Sequence, residues 1–195
     1  IGNEEYAQQN GSFGLTTLRK RHAKLSPRSA VLSYRGKSGI HRKVKVDDPR
    51  VVRLLHRCHD LPCETLFSWV DDEGGHHRVR SGDVNAYLRA ASGIAMTAKC
   101  LRTWIATVLM TEELLTAGDG AALKEPLGRV AAELGHTPTI CRNSYIHPEI
   151  IEHHQKGGLT VALASVTLPA ERAAIEEAVL DLLEGRGRSE TRRAA

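Results

Sequence analysis

The residues of this sequence that could do chemistry together lie mostly in its second half. Gly135-His136-Thr137-Pro138 sets a histidine just ahead of a helix start, and Tyr145 follows about two turns into that helix. Side chains so spaced can reach one anionic group. A phenol with an ordinary pKa of about 10 is a poor nucleophile at neutral pH, so its attack on phosphorus demands cations and hydrogen-bond donors around a phosphate. Arg102 meets that demand from Lys99-Cys100-Leu101-Arg102-Thr103, where its apolar neighbours Leu101 and Trp104 make a guanidinium costly unless it meets an anion. Lys37 sits in Arg35-Gly36-Lys37-Ser38-Gly39, at the tip of an expected β-hairpin, an exposed place from which an ammonium can enter a DNA groove. Each of these residues also has a plain reading. Tyr145 packs, His136 shapes a turn, Arg102 pairs with a carboxylate and Lys37 is a solvated turn lysine; composition and periodicity do not choose between the two sets.

The elements that must position these residues read as α+β, mainly α. Asn3 to Gln9 is helix-compatible and is ended by Asn10-Gly11-Ser12. Phe13 to Leu18, Ala30 to Arg35 and Arg42 to Val46 have strand character, predicting a small N-terminal three-stranded antiparallel sheet. Asp48 caps and Pro49 opens a helix with Val51, Val52, Leu54 and Leu55 at helical spacing, ending before Pro62. Asp71 to Gly75 is a loop, and Ser81 caps a short helix with Val84, Tyr87 and Leu88 on one face. Thr97 caps the longest helix, whose stripe of Leu101, Trp104, Val108 and Leu109 reaches towards Leu115 and marks it as central. Ala121 to Leu134 is a helix stopped at Gly135, and Pro148 starts another beyond Tyr145. Leu168 to Leu183 is an amphipathic helix, and Gly185 to Ala195 an Arg-rich, disordered tail.

Composition narrows the classes. A chain of 195 residues, 41% hydrophobic, can bury a continuous core, and with 4% aromatics aliphatic side chains must build most of it. The formal charge of +4 leans weakly towards a polyanionic partner. Cys58, Cys63, Cys100 and Cys141 form no CxxC pair, and no apolar run is long enough to span a membrane, which suits a reducing cytoplasm. The chain opens on Ile1 with residues that read as a domain interior, so it is expected to be a fragment lacking its N-terminal part.

The ordered motifs resemble those of the bacterial and poxvirus type IB DNA topoisomerases, to about Gly157. Gly2-Asn3-Glu4-Glu5-Tyr6 is similar to the segment after the family's first active-site arginine, and Phe13-Gly14-Leu15-Thr16-Thr17-Leu18 with His22 to its first hairpin strand. Arg35-Gly36-Lys37 resembles the hairpin with the catalytic lysine, Lys99-Cys100-Leu101-Arg102-Thr103 the Lys-Asp-Leu-Arg-Thr motif, and Gly135-His136-Thr137-Pro138 to Tyr145-Ile146-His147-Pro148 the His and Tyr motif. The resemblance implies a tyrosine recombinase/topoisomerase IB catalytic core over residues 1–157 and a C-terminal helical extension over 158–195. It implies that Tyr145 forms a 3′-phosphotyrosyl bond, that Arg102 and His136 hold the nonbridging oxygens, and that Lys37 protonates the leaving 5′-oxygen. An arginine ahead of Ile1 would assist, so the chain as it stands would cleave slowly. Tyr6, Lys99 and Asn3 would contact DNA. The implied activity is relaxation of supercoiled DNA with no ATP, metal or small-molecule cofactor, by a monomer acting on double-stranded DNA in a nucleoid-associated, cytoplasmic setting. Cys100 replaces the usual acidic residue beside Leu101, and the first segment is less basic than in the poxvirus enzymes, so their cleavage preference does not transfer.

The rival reading is a tyrosine recombinase, which favours His-x-Leu-Arg where this chain has Lys99-x-Leu-Arg102. A DNA-binding module that lost catalysis is disfavoured by Lys37, Arg102, His136 and Tyr145 together. His56, Cys58, His59 and Cys63 lack the spacing of a structural zinc motif, so no metal site is expected. His76-His77 and His153-His154 are expected to be solvated.

Overall fold

A computed structural model describes residues 1–186, which fall into two compact units meeting in sequence at Ala98 and Lys99. The Arg-rich stretch from residue 187 onward lies outside the described residues.

The first unit opens with α1 (Glu4–Asn10), which Asn3 starts by accepting the Glu5 N–H at 2.8 Å and the Tyr6 N–H at 3.5 Å on its Oδ1. Its sheet has three antiparallel strands in the order β1 (Ala23–Ser26), β2 (Ser29–Arg35) and β3 (His41–Val46). The number and sense of the strands are as expected, but the first strand is Ala23–Ser26 and not Phe13 to Leu18. Phe13 makes one ladder-like bond, N–H to the Arg35 carbonyl at 2.7 Å. The Thr17 hydroxyl then takes the Gly14 N–H at 2.9 Å, and Leu15–Thr17 coils into a 3-10 turn. A local side-chain bond thus displaces strand pairing. The apolar content of that segment is core all the same, because Leu18 is fully buried with Ala30, Leu32, Leu55 and Leu66, and Phe13, Tyr34 and Val46 pack around them. His22 closes the next turn, its Nδ1 accepting the Arg19 N–H at 3.1 Å. Burial first, then the neighbouring charges of Arg21 and Arg19, hold its pKa below the usual 6.5 and keep the ring neutral.

Helix α2 (Pro49–Asp60) is capped by Asp48, whose Oδ1 accepts from the Arg50 and Val51 N–H groups. It buries Val52, Leu55 and Cys58, while Val51 and Leu54 stay exposed. A short hairpin, β4 (Ser68–Val70) with β5 (His76–Arg78), flanks the expected Asp71 to Gly75 loop and was not anticipated. Asp71 organises the turn by accepting the Gly75 N–H at 2.6 Å, and its other oxygen meets His77 Nε2 at 2.5 Å. The His77 bond, then that of Gly75, lowers the Asp71 pKa. His77 also stacks on Trp69, so it is engaged and not simply solvated. Helix α3 (Ser81–Ser92) starts one residue earlier in its cap than expected: Asp83 accepts the Arg80 N–H, making Arg80 and not Ser81 the cap. Val84 and Leu88 are half-buried on it, but Tyr87 faces solvent.

The second unit is helical and is built around α4 (Ala98–Ala117), which buries Ala106, Thr107, Val108, Leu109, Met110, Thr111 and Leu114. Burial almost all round its second half makes it a core helix. Around it lie α5 (Lys124–Leu134), α6 (Pro138–Ser144), α7 (Pro148–Gln155), α8 (Leu159–Ala162) and α9 (Arg172–Leu183). Leu159, Leu163, Ile175, Val179 and Leu182 share one core with α4. The last helix begins four residues later than expected, because Leu168 precedes Pro169 and is steered from helical backbone. His154 corrects the expectation of a solvated pair: it is 1% exposed and its Nε2 bonds the Ala121 carbonyl at 2.8 Å, tying α7 to the segment before α5. Among the described residues no helix is long and apolar enough to cross a membrane.

Candidate active site

Three of the residues singled out in the sequence meet within the second unit. Arg102 is on the first turns of α4 and half-buried. Gly135 ends α5 with φ of 70°, a left-handed conformation that costs glycine little, and the chain reverses there so that His136 follows outside the helix. Thr137 then caps α6, its hydroxyl accepting the Ile140 N–H, with Pro138 in the first turn. Tyr145 is not inside that helix, as the spacing suggested, but is its terminal cap, with φ −133° and ψ −26°. Its N–H still bonds the Cys141 carbonyl at 3.1 Å. Leaving the helix at this point turns the ring back towards α4.

Arg102 Nη1 stands 2.7 Å from His136 Nε2 and 3.5 Å from the Leu134 carbonyl. A guanidinium has no acceptor, so the Nε2 lone pair must receive this bond. The His136 and Tyr145 rings stack at 4.8 Å between centroids, and the guanidinium carbon lies 5.9 Å from the Tyr145 ring centre. Among the described residues no carboxylate pairs with Arg102, so the reading of an ordinary ion pair does not hold there.

The residue that sequence reasoning missed is Thr107. It is 2% exposed; its hydroxyl donates to the Thr103 carbonyl at 2.8 Å and accepts the His147 N–H at 3.0 Å, with the Tyr145 carbonyl 3.4 Å away. This buried hydroxyl pins the segment carrying Tyr145 to the helix carrying Arg102. The only sequence signal was a polar residue on the buried face of an otherwise apolar helix. Beneath the same segment Cys141 is fully buried, which pushes its thiol pKa up and keeps it protonated.

The remaining candidates lie on other elements. Lys37 is exposed at the turn between β2 and β3, as expected. That turn is closed by the Gly36 N–H bonding the Ile40 carbonyl at 2.8 Å, and Gly39 has φ of 74°. A Cβ on Gly39 would stand 3.0 Å from the Arg35 guanidinium, so glycine serves both the turn and the close approach. Lys99 is exposed at the start of α4, where it lines an open pocket of about 330 Å³ with Cys100, Thr103, Trp104, Thr107, His147 and Leu183. Tyr6 is 54% exposed, and the Asn3 side chain is engaged in capping α1. Of the histidines and cysteines near α2, His56 bonds the Ser26 carbonyl at 3.1 Å and Cys58 is in the core. Among the described residues no three His, Cys, Asp or Glu side chains are grouped so as to hold a metal ion.

Comparison with known proteins adds an independent finding. Residues 1–161 match the family model described as the catalytic core of eukaryotic DNA topoisomerase I. The chain is 29% identical over 169 residues to the DNA topoisomerase 1B of Acanthamoeba polyphaga mimivirus, covering 80% of this chain and 50% of that protein. It is 24% identical over 155 residues to the DNA topoisomerase 1B of vaccinia virus and to the DNA topoisomerase I of monkeypox virus, covering 78% of this chain and 48% of each. The chain thus spans about half the length of the curated relatives it matches.

Proposed function

The chain belongs to the family of the eukaryotic DNA topoisomerase I catalytic core, and from that footing we propose that it is the strand-cleaving and religating part of a type IB DNA topoisomerase. The Tyr145 oxygen, its phenol proton passing to solvent, attacks the phosphorus of one strand, the bond from phosphorus to the 5′-oxygen breaks, and a 3′-phosphotyrosyl link forms. Arg102 and His136 donate to the nonbridging oxygens as negative charge gathers on them. Lys37 gives a proton to the departing 5′-oxygen. Religation reverses these steps, and because the phosphotyrosine keeps the energy of the broken bond, no added nucleotide is required.

The observation that carries this reading is the state of Arg102. Its half-buried guanidinium is matched by no carboxylate among the described residues and is held instead against the His136 imidazole and the face of the Tyr145 phenol. The guanidinium gives this cluster a positive charge that a phosphate can meet. A phosphate entering it would take over the guanidinium N–H now directed at His136 Nε2, beside the ring of Tyr145. The catalytic core is proposed to run to residue 157, with residues 158 onward as an extension of it. Tyr6, Lys99 and Asn3 are proposed to touch the DNA, and the enzyme to act as a monomer on double-stranded, nucleoid-associated DNA in the cytoplasm.

The test is a covalent-adduct assay on nicked and supercoiled DNA. The chain should form an adduct through Tyr145 and relax supercoils without strand exchange, both at the slow rate expected of it as it stands. Tyr145→Phe should abolish the adduct and leave noncovalent DNA binding nearly intact, since only the nucleophilic oxygen is removed. An adduct that survives this substitution means that another residue is the nucleophile.

A further inference from the structure

The sheet of the first unit has two faces of opposite character, and the ladder register assigns every residue to one of them. Ala23, Leu25, Ala30, Leu32, Tyr34 and Val46 face the core. On the other face Lys24 pairs across from Val31, Val31 from Lys45, Ser33 from Lys43 and Arg35 from His41. Lys24, Arg35, His41, Lys43 and Lys45 are all exposed, and no acidic residue lies on that face of the strands. Among the described residues Lys24 and Lys43 have no carboxylate partner, and Lys45 has only an open contact with Asp47 at 3.5 Å, both side chains well solvated. The whole chain carries a formal excess of +4, so a single sheet face concentrates as much positive charge as the entire molecule nets.

We propose that this face is a phosphate-tracking surface for duplex DNA, with Lys24, Lys43 and Lys45 contacting the backbone away from the scissile phosphate. The proposal rests on the topoisomerase reading. His41, Lys43 and Lys45 recur every second residue of β3, so they form a file about 13 Å long, with β1 and β2 ranked beside it at about 4.8 Å per strand. Duplex DNA carries about eight phosphate charges over that length. The cations lie within about one Debye length of each other at 0.1 M salt and act on a polyanion jointly. The same hairpin carries Lys37 at its tip, so a duplex that receives Lys37 has these lysines at hand along the strands leading to it. The competing account is that lysines on β3, an edge strand, only prevent edge-to-edge pairing with another chain. The two accounts differ in what substitution does.

The experiment measures the affinity of the full chain for a fluorescent 30-base-pair duplex over a series of salt concentrations. It compares the chain carrying Tyr145→Phe alone with the same chain also carrying Lys24→Gln, Lys43→Gln and Lys45→Gln. Each lost phosphate contact should flatten the plot of log affinity against log salt by about 0.9, hence by about 2.7 for the three. A set with Arg at the three positions should keep the original slope, which separates loss of charge from damage to the sheet. An unchanged slope in the Gln set, or a slope that the Arg set fails to keep, overturns the proposal; aggregation with an unchanged slope identifies edge protection instead. The adduct assay on the unsubstituted chain judges the topoisomerase reading separately. Adduct formation with an unchanged slope removes this surface and leaves that reading standing, and a flattened slope without any adduct does the reverse.

Discussion

At the scale of single residues, the notable pairing is a guanidinium held by an imidazole and a phenol ring. Arg102 meets His136 and Tyr145 at distances that an aromatic and hydrogen-bonded cluster allows, and Thr107 sets those distances by bonding the segment on which Tyr145 sits. Thr107→Val preserves shape but removes the hydroxyl, leaving the half-buried His147 N–H without its acceptor. Misplacing a reacting group by about 1 Å costs on the order of 10² in rate. The adduct rate of Thr107→Val at saturating DNA should therefore fall by about 10- to 100-fold with DNA affinity nearly unchanged, and Thr107→Ser should recover most of it. Equal losses in both variants, or a loss of affinity alone, would show that Thr107 does not position the nucleophile.

At the scale of elements, the site depends on where helices stop. Helix α5 ends at Gly135, whose φ of 70° directs the chain so that His136 reaches Arg102, and α6 ends one residue short of Tyr145. A side chain at Gly135 would meet the steric penalty of left-handed backbone, about 1 to 2 kcal/mol. Gly135→Ala should lower the unfolding free energy by about that amount in a denaturant titration, and it should slow adduct formation further than the stability loss explains, because His136 moves with the turn. Normal adduct kinetics in a measurably destabilised variant would mean that the turn holds the fold but does not aim His136.

At the scale of the whole molecule, the residues proposed to do the chemistry fall in two compact units, with Lys37 in the first and Arg102, His136 and Tyr145 in the second. Kinetics on the intact chain test the proposed proton donor together with the proposed nucleophile. Lys37→Ala should slow cleavage of ordinary DNA, since an alkoxide of high pKa must then leave without a proton. A sulfur in place of the 5′-bridging oxygen is a better leaving group and should restore much of the rate. If the sulfur substrate is slowed as severely as the natural one, Lys37 is not the general acid.

Side-chain type and helical punctuation were determined by the sequence alone. Asp48-Pro49, Thr137-Pro138 and Gly135 act through bonds or backbone limits within a few residues of themselves, so the starts and stops they mark are where they were read. The hairpin that carries Lys37 follows likewise from two alternating runs and a glycine-rich turn. Tertiary structure decided the rest. Phe13 to Leu18 has the composition of a strand, yet the Thr17 hydroxyl and the burial of Leu18 make it a turn, a contest between local and long-range bonds that composition does not record. Helical spacing put Tyr145 within α6, whereas the structure ends the helix there, and Thr107 reaches the same segment across 40 residues of chain to His147. His154 shows the same limit: a histidine near the end of a polar helix reads as solvated, and only the packing of α7 onto the core buries it against the Ala121 carbonyl.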